Sequence, residues 1–168
     1  MKRLWLIIPW ALFALATVGW IVYWHFLAGE AEARVRAWAA EQSDAGAQVS
    51  FGRIVRHGFP VLLRLELQDA AYAAARGGWR GETARSDLHI DVLNPGHVIL
   101  ESKAPIAITR ENGAVTNVNA DALIASLRTA NDALVMAGVE ADNLILDDPT
   151  QEGVLYAART EAEMAAHQ

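Results

Sequence analysis

From Leu4 to Leu27 the chain runs 24 residues without Asp, Glu, Lys or Arg. At ~1.5 Å rise per residue that run makes a helix of roughly 36 Å, enough to cross a hydrocarbon core of about 30 Å with some tilt. Lys2 and Arg3 precede it, and Glu30, Glu32, Arg34 and Arg36 follow it. The positive-inside bias therefore predicts a single-pass anchor over 4–27. Residues 1–3 are expected in the cytoplasm and the rest on the far side of a bacterial inner membrane, in the periplasm. Trp5 and Trp10 toward one end, and Trp20, Tyr23 and Trp24 toward the other, read as membrane-interface belts, because amphipathic rings favour the head-group level. Pro9 falls early in the helix, where a missing N–H costs little. A cleaved leader is the competing reading. Its apolar core would be shorter, and Phe26 spoils a small-x-small site around Ala28, so an uncleaved anchor is expected.

Beyond the anchor the composition turns acidic. Lys2 and Arg3 are the only basic residues before Ala28. The remainder thus holds 12 of the 14 Lys and Arg against all 20 Asp and Glu, a net charge of −8. Such a surface is repelled by phosphate backbones and anionic head groups, so nucleic acid is not expected as a partner and a polybasic lipid-binding surface is missing. The chain has no Cys, which excludes disulfides, thiolate nucleophiles and Cys-ligated metals.

Residues 28–46 read as a short amphipathic helix and linker. Ala31, Val35, Trp38 and Ala39 share one side, expected to pack on the following domain, and Glu30–Arg34 and Glu32–Arg36 are spaced i,i+4. Ser43-Asp44-Ala45-Gly46 stops it. From Gln48 the period changes to two. Leu63, Leu65 and Leu67 alternate with Arg64, Glu66 and Gln68; Leu88, Ile90 and Val92 alternate with Asp87, His89 and Asp91; Ile106 and Ile108 alternate with Ala107 and Thr109. That pattern predicts a half-buried antiparallel sheet over 47–168 with one wet and one dry face. Gly58-Phe59-Pro60, Gly77-Gly78, Asn94-Pro95-Gly96 and Asn112-Gly113 punctuate it, the last as a hairpin signal. Strands recur every ~8–14 residues without a long helix between them, which favours a meander over βαβ units. Ala120–Arg128 fits a helix or a strand and is read as a strand from its neighbours; Val154–Met164 fits either. The expected fold class is mainly β: a transmembrane helix, an amphipathic helix, then an antiparallel meander.

Chemistry-bearing patterns are scarce. His25, His57, His89, His97 and His167 form no H-x-x-x-H or H-E-x-x-H spacing, so no local zinc site is expected. His25 is expected to snorkel at the interface, His57 to serve a turn, His89 to be solvated on the polar side of its strand, and His97 to start a strand. No serine sits in a G-x-S-x-G elbow or a Ser-x-x-Lys pair, and neither glycine-rich phosphate loop is present. Asp147 and Asp148 with Glu152 read as a solvated turn rather than a calcium loop. No catalytic, cofactor-binding or metal residue is nominated, and the chain is expected not to be an enzyme. Gly58 permits unusual backbone and Pro60 holds Phe59 extended, so this stretch reads as a shaped strand entry.

An anchor, a charged helix with a Trp, Gly58-Phe59-Pro60, the strand "LRLELQDAAY", Trp79 and then Asn94-Pro95-Gly96-His97-Val98-Ile99 together resemble the bacterial, mainly alphaproteobacterial, family of domain of unknown function 2125. The resemblance covers nearly the whole chain and has no activity attached to it; it implies location and architecture. Members are typically about twice this length, so the resemblance also implies an N-terminal half, a short member or a split gene. At fold level, an anchor plus β-meander is similar to large envelope proteins that line an apolar trough for lipid. The expected function is a non-enzymatic envelope domain offering its dry face to a lipid or acyl chain. The alternative is a protein–protein scaffold that recruits another envelope protein at an exposed sheet edge.

Overall fold

The computed structural model describes residues 4–130, 133–147 and 154–165. One continuous helix, α1 (Leu4–Asp44), takes in both the apolar run and the amphipathic segment. At ~1.5 Å per residue its 41 residues extend roughly 60 Å. Nothing in Ala28-Gly29-Glu30 breaks it. The Glu30–Arg34 and Glu32–Arg36 pairs, at 3.3 and 2.8 Å, support the turns that follow. It ends as the Ser43–Gly46 signal predicts. Gly46 is left-handed (φ 90°), its N–H donates to Ser43 O, and the Ala47 N–H reaches back to Gln42 O, a glycine-terminated cap.

Ten strands follow among the described residues: β1 (Gln48–Ser50), β2 (Arg53–His57), β3 (Leu62–Ala73), β4 (Trp79–Asp91), β5 (His97–Ser102), β6 (Ile106–Arg110), β7 (Val115–Asn119), β8 (Ala122–Ala130), β9 (Ala133–Asp147) and β10 (Val154–Ala165). Every pairing is antiparallel. Both ambiguous segments are strands, the first from Ala122 and the second over Val154–Ala165. The pairings show that three strands are each split in two. β1 and β2 lie end to end along β3; β5 and β6 lie end to end along β4; β7 and β8 lie end to end along β9. The sheet is therefore the expected meander, β1/β2–β3–β4–β5/β6–β7/β8–β9–β10.

The splits line up. Gly52 interrupts the first strand, its N–H donating to Gln68 O, beside Asp69 at φ 51°. Lys103–Pro105 interrupts the fourth, where the Lys103 N–H donates to Arg85 O. Ala120-Asp121 interrupts the fifth, opposite Asn143 at φ 49°; the Asn143 amide donates to the Asp121 carboxylate at 2.5 Å. One row of irregularities thus crosses the sheet at a single level. The row interrupts the pairing at that level and forms a crease in the sheet.

α1 lies on the dry face of the half before the crease. Trp24, Ala28 and Ala31 pack on Leu63, Leu65, Ile90 and Val92, with Trp20, Leu27, Val35, Ile54, Leu88 and Val98 around them. The packing side is therefore Trp24–Val35. The expected extension to Trp38 is not realised: Trp38 is exposed, and the contact shifts N-terminally because the helix meets the sheet within its apolar half. Arg56, at 2.7 Å from Glu32, ties the end of that contact to β2.

Candidate functional site

In an antiparallel sheet, residues directly opposite one another point to the same face. The registers therefore trace rows across the dry face. One runs Leu63, Ile90, Val98, Leu127, Ala137; the next runs Leu65, Leu88, Leu100, Ala125, Val139; the third runs Leu67, Ser86, Ser102, Leu123, Ala141. The first members of these rows are under α1. Past Val98 the first two rows emerge from under the helix, while Ala141 in the third is buried. Leu100, Leu127 and Val139 stand 38, 43 and 49% exposed, over a floor lowered by Ala125 and Ala137. The result is an apolar strip on β5, β8 and β9, beside the rows that α1 covers.

The opposite face carries an ionic lattice. Glu66 faces Arg85 at 2.9 Å and His57 at 3.6 Å; Asp87 lies 3.6 Å from both Arg64 and Arg85; Glu101 pairs with His89 at 3.3 Å and with Lys103. The hydrogen bond from Gln68 and the nearby Arg85, His57 and Arg64 hold the Glu66 carboxyl below its ordinary range. The Lys103 hydrogen bond does the same for Glu101, and Arg36 and Arg56 do it for Glu32. Asp87 is fully buried, and at 3.6 Å its two arginines reach it as charges rather than as hydrogen-bond donors. Neither histidine is as expected. His57 ends β2 instead of serving a turn, and His89 is partly covered beside Glu101. Sequence alternation put these side chains on the wet face, but only strand register brings carboxylate and cation together. His97 does start β5. Among the described residues no three His, Asp or Glu side chains gather in a way that could hold a metal ion. Asp147 ends β9, whereas Asp148, Glu152 and His167 lie outside the described residues.

The five nominated aromatics all lie on α1. Trp10 is exposed on α1, and Trp5 belongs to the same helix. The other three all hydrogen-bond to the end of the sheet that faces them, and Tyr23 stays 42% exposed. Trp24 is buried, and its indole N–H donates to Leu62 O; the Trp20 N–H donates to Pro60 O; the Tyr23 hydroxyl donates to Val92 O. Their polar tips satisfy carbonyls at the start of β3 and just past the end of β4. His25, exposed, stacks on Phe59.

These contacts give the two nominated motifs their role. Gly58-Phe59-Pro60 forms the β2–β3 turn, with a cis Phe59–Pro60 peptide and Gly58 at φ 97°. A Cβ on Gly58 would lie 2.6 Å from Leu62 O, so no other residue fits. Asn94-Pro95-Gly96 forms the β4–β5 turn. A Cβ on Gly96 would lie 2.6 Å from Thr129 O, where the chain holds the β8 end by the bond from Thr129 N–H to Gly96 O. Trp79 sits apart, beyond the crease, against Tyr72.

Helix, creased sheet and half-covered dry face define a helix-tethered antiparallel β domain. Residues 24–168 match the family described as an uncharacterized protein conserved in bacteria (DUF2125), and the chain belongs to that family. No curated protein and no solved structure matches it.

Proposed function

We propose that this is a single-pass, membrane-anchored envelope protein, without enzymatic activity, that holds an acyl chain on the strip formed by Leu100, Leu127 and Val139. One observation carries the reading: the apolar surface of α1 leads directly onto an apolar sheet face that the helix covers only halfway. Ile7, Trp10, Phe13 and Leu15 are all exposed, as they are on a helix whose solvent is hydrocarbon. Lys2 and Arg3 support a cytoplasmic N-terminus and a periplasmic sheet. An acyl chain lying beside α1 would bury the strip without meeting a charge, because the ionic lattice is on the other face.

The test is native mass spectrometry and lipid extraction of the full chain from mild detergent. Wild type is expected to retain phospholipid or fatty acid. Leu127→Asp and Val139→Asp, both at exposed positions, are expected to lose it while keeping the far-ultraviolet spectrum of the wild type. Equal lipid retention by the variants rules the strip out. A second reading rests on the open ends of the sheet: β1/β2 leaves one edge unpaired among the described residues, and an unpaired edge recruits a strand. In-cell crosslinking from Arg53 to a distinct envelope protein would favour it.

A further inference from the structure

Two of the turns at one end of the sheet differ in kind from those at the other. At the end far from the N-terminus of α1, the β3–β4 and β6–β7 turns carry Arg76, Glu111 and Asn112, all exposed. At the near end, Gly58–Leu62 and Val92–Gly96 contain no charge. There Phe59, Val61, Leu62 and Leu93 stand 50, 70, 62 and 82% exposed. Hairpin turns in water are polar, because their backbone groups need solvent. Four large apolar side chains on two adjacent turns need another environment.

Helix length says which one. The near end docks on α1 at Trp20, Tyr23 and Trp24, and Phe59 and Pro60 border a shallow groove with Ala16, Thr17, Trp20 and Ile21. Only Leu4 to Leu15 lies clear of the sheet. At ~1.5 Å per residue that stretch measures roughly 18 Å, against about 30 Å for a hydrocarbon core. Tilt makes the deficit larger. A helix anchored by Lys2 and Arg3 must therefore carry its Ala16–Tyr23 stretch inside the bilayer, together with whatever is fixed to it.

We infer that the β2–β3 and β4–β5 turns, through Phe59, Val61, Leu62 and Leu93, insert into the outer leaflet of the membrane that α1 spans. This rests on reading α1 as an anchor. The insertion places Leu127, whose row begins beside these turns at Leu63, Ile90 and Val98, at the leaflet surface. The strip then opens toward the acyl chains it is proposed to hold.

The chain lacks cysteine, so single reporters can be placed cleanly. Phe13→Cys, Val61→Cys, Leu93→Cys and Asn112→Cys in the full chain would each be labelled with an environment-sensitive fluorophore. Each would be reconstituted in vesicles of phosphatidylcholine with brominated acyl chains or with ordinary ones. The inference expects most of the emission to be lost to bromine at positions 13, 61 and 93, and little at 112. Quenching at 13 but not at 61 and 93 overturns the insertion and leaves the anchor standing. Absence of quenching at 13 overturns the anchor and the insertion with it. Quenching at 112 equal to that at 61 and 93 also overturns it, since the sheet would then lie flat.

Discussion

Trp24 shows how a single side chain joins the two halves of this protein. Its ring fills the contact with Leu63, Leu65 and Ile90, and its N–H satisfies Leu62 O at 3.0 Å. Trp24→Phe keeps most of the apolar contact and leaves a carbonyl unpaired, a cost of about 1 kcal/mol. Trp24→Ala also opens a cavity, for a cost of about 3–5 kcal/mol. Urea unfolding in detergent micelles is expected to rank the variants in that order; equal losses would mean that the hydrogen bond, not the packing, dominates. The sequence placed Trp24 in a lipid belt for a sound reason. An apolar ring with a polar tip suits a head-group boundary and a protein core edge equally well. What distinguishes them is the partner carbonyl, contributed by a residue 38 positions away.

At the level of elements, the alternation in Leu63–Gln68 and Asp87–Val92 was readable because one face of each strand is dry. The crease was not. Asp69 looks like an ordinary polar position, yet it sits at φ 51°, where Asp is tolerated and branched residues are not. After it the apolar position in β3 changes parity, from Leu67 to Tyr72, so simple alternation does not carry across it. Asp69→Val is expected to destabilise by roughly 1–2 kcal/mol and Asp69→Gly to be tolerated. Thermal unfolding of the two variants checks this, and equal effects would remove the backbone explanation. The ionic lattice adds a pH dependence. Glu66, Glu101 and Glu32 have folded-state pKa values below the ordinary ones. Their stabilising contribution is complete above the unfolded carboxylate pKa of about 4.3 and is lost as pH falls through the lower, folded values. Stability from denaturant titrations should hold from neutral pH to about 5 and then fall, and Glu66→Gln should flatten that fall.

For the molecule as a whole, one helix does two jobs, and its division is the property most open to test. Residues before Gly19 contribute nothing to the core, while Trp24, Ala28 and Ala31 are part of it. Family similarity begins at the same place, residue 24, within the apolar run rather than after it. The separation into an anchor over 4–27 and a helix over 28–46 was drawn from composition, which sees charge but not packing. Packing adds that the part of α1 joined to the sheet core begins at Trp20. A chain lacking residues 1–18 should therefore fold, with cooperative unfolding and native β spectra, though its exposed Phe59 and Leu93 favour self-association. A chain lacking residues 1–27 loses Trp20, Tyr23 and Trp24, and with them three hydrogen bonds to β3, β4 and the turn between β2 and β3. The cavity left by Trp24 alone is worth about 3–5 kcal/mol of a typical 5–15 kcal/mol stability. That chain is expected to be molten or aggregated, with Leu63 and Leu65 amides exchanging at once. If it instead protects those amides as well as the longer chain does, the upper part of α1 is only a tether, and the inference that the sheet is held at the bilayer fails with it.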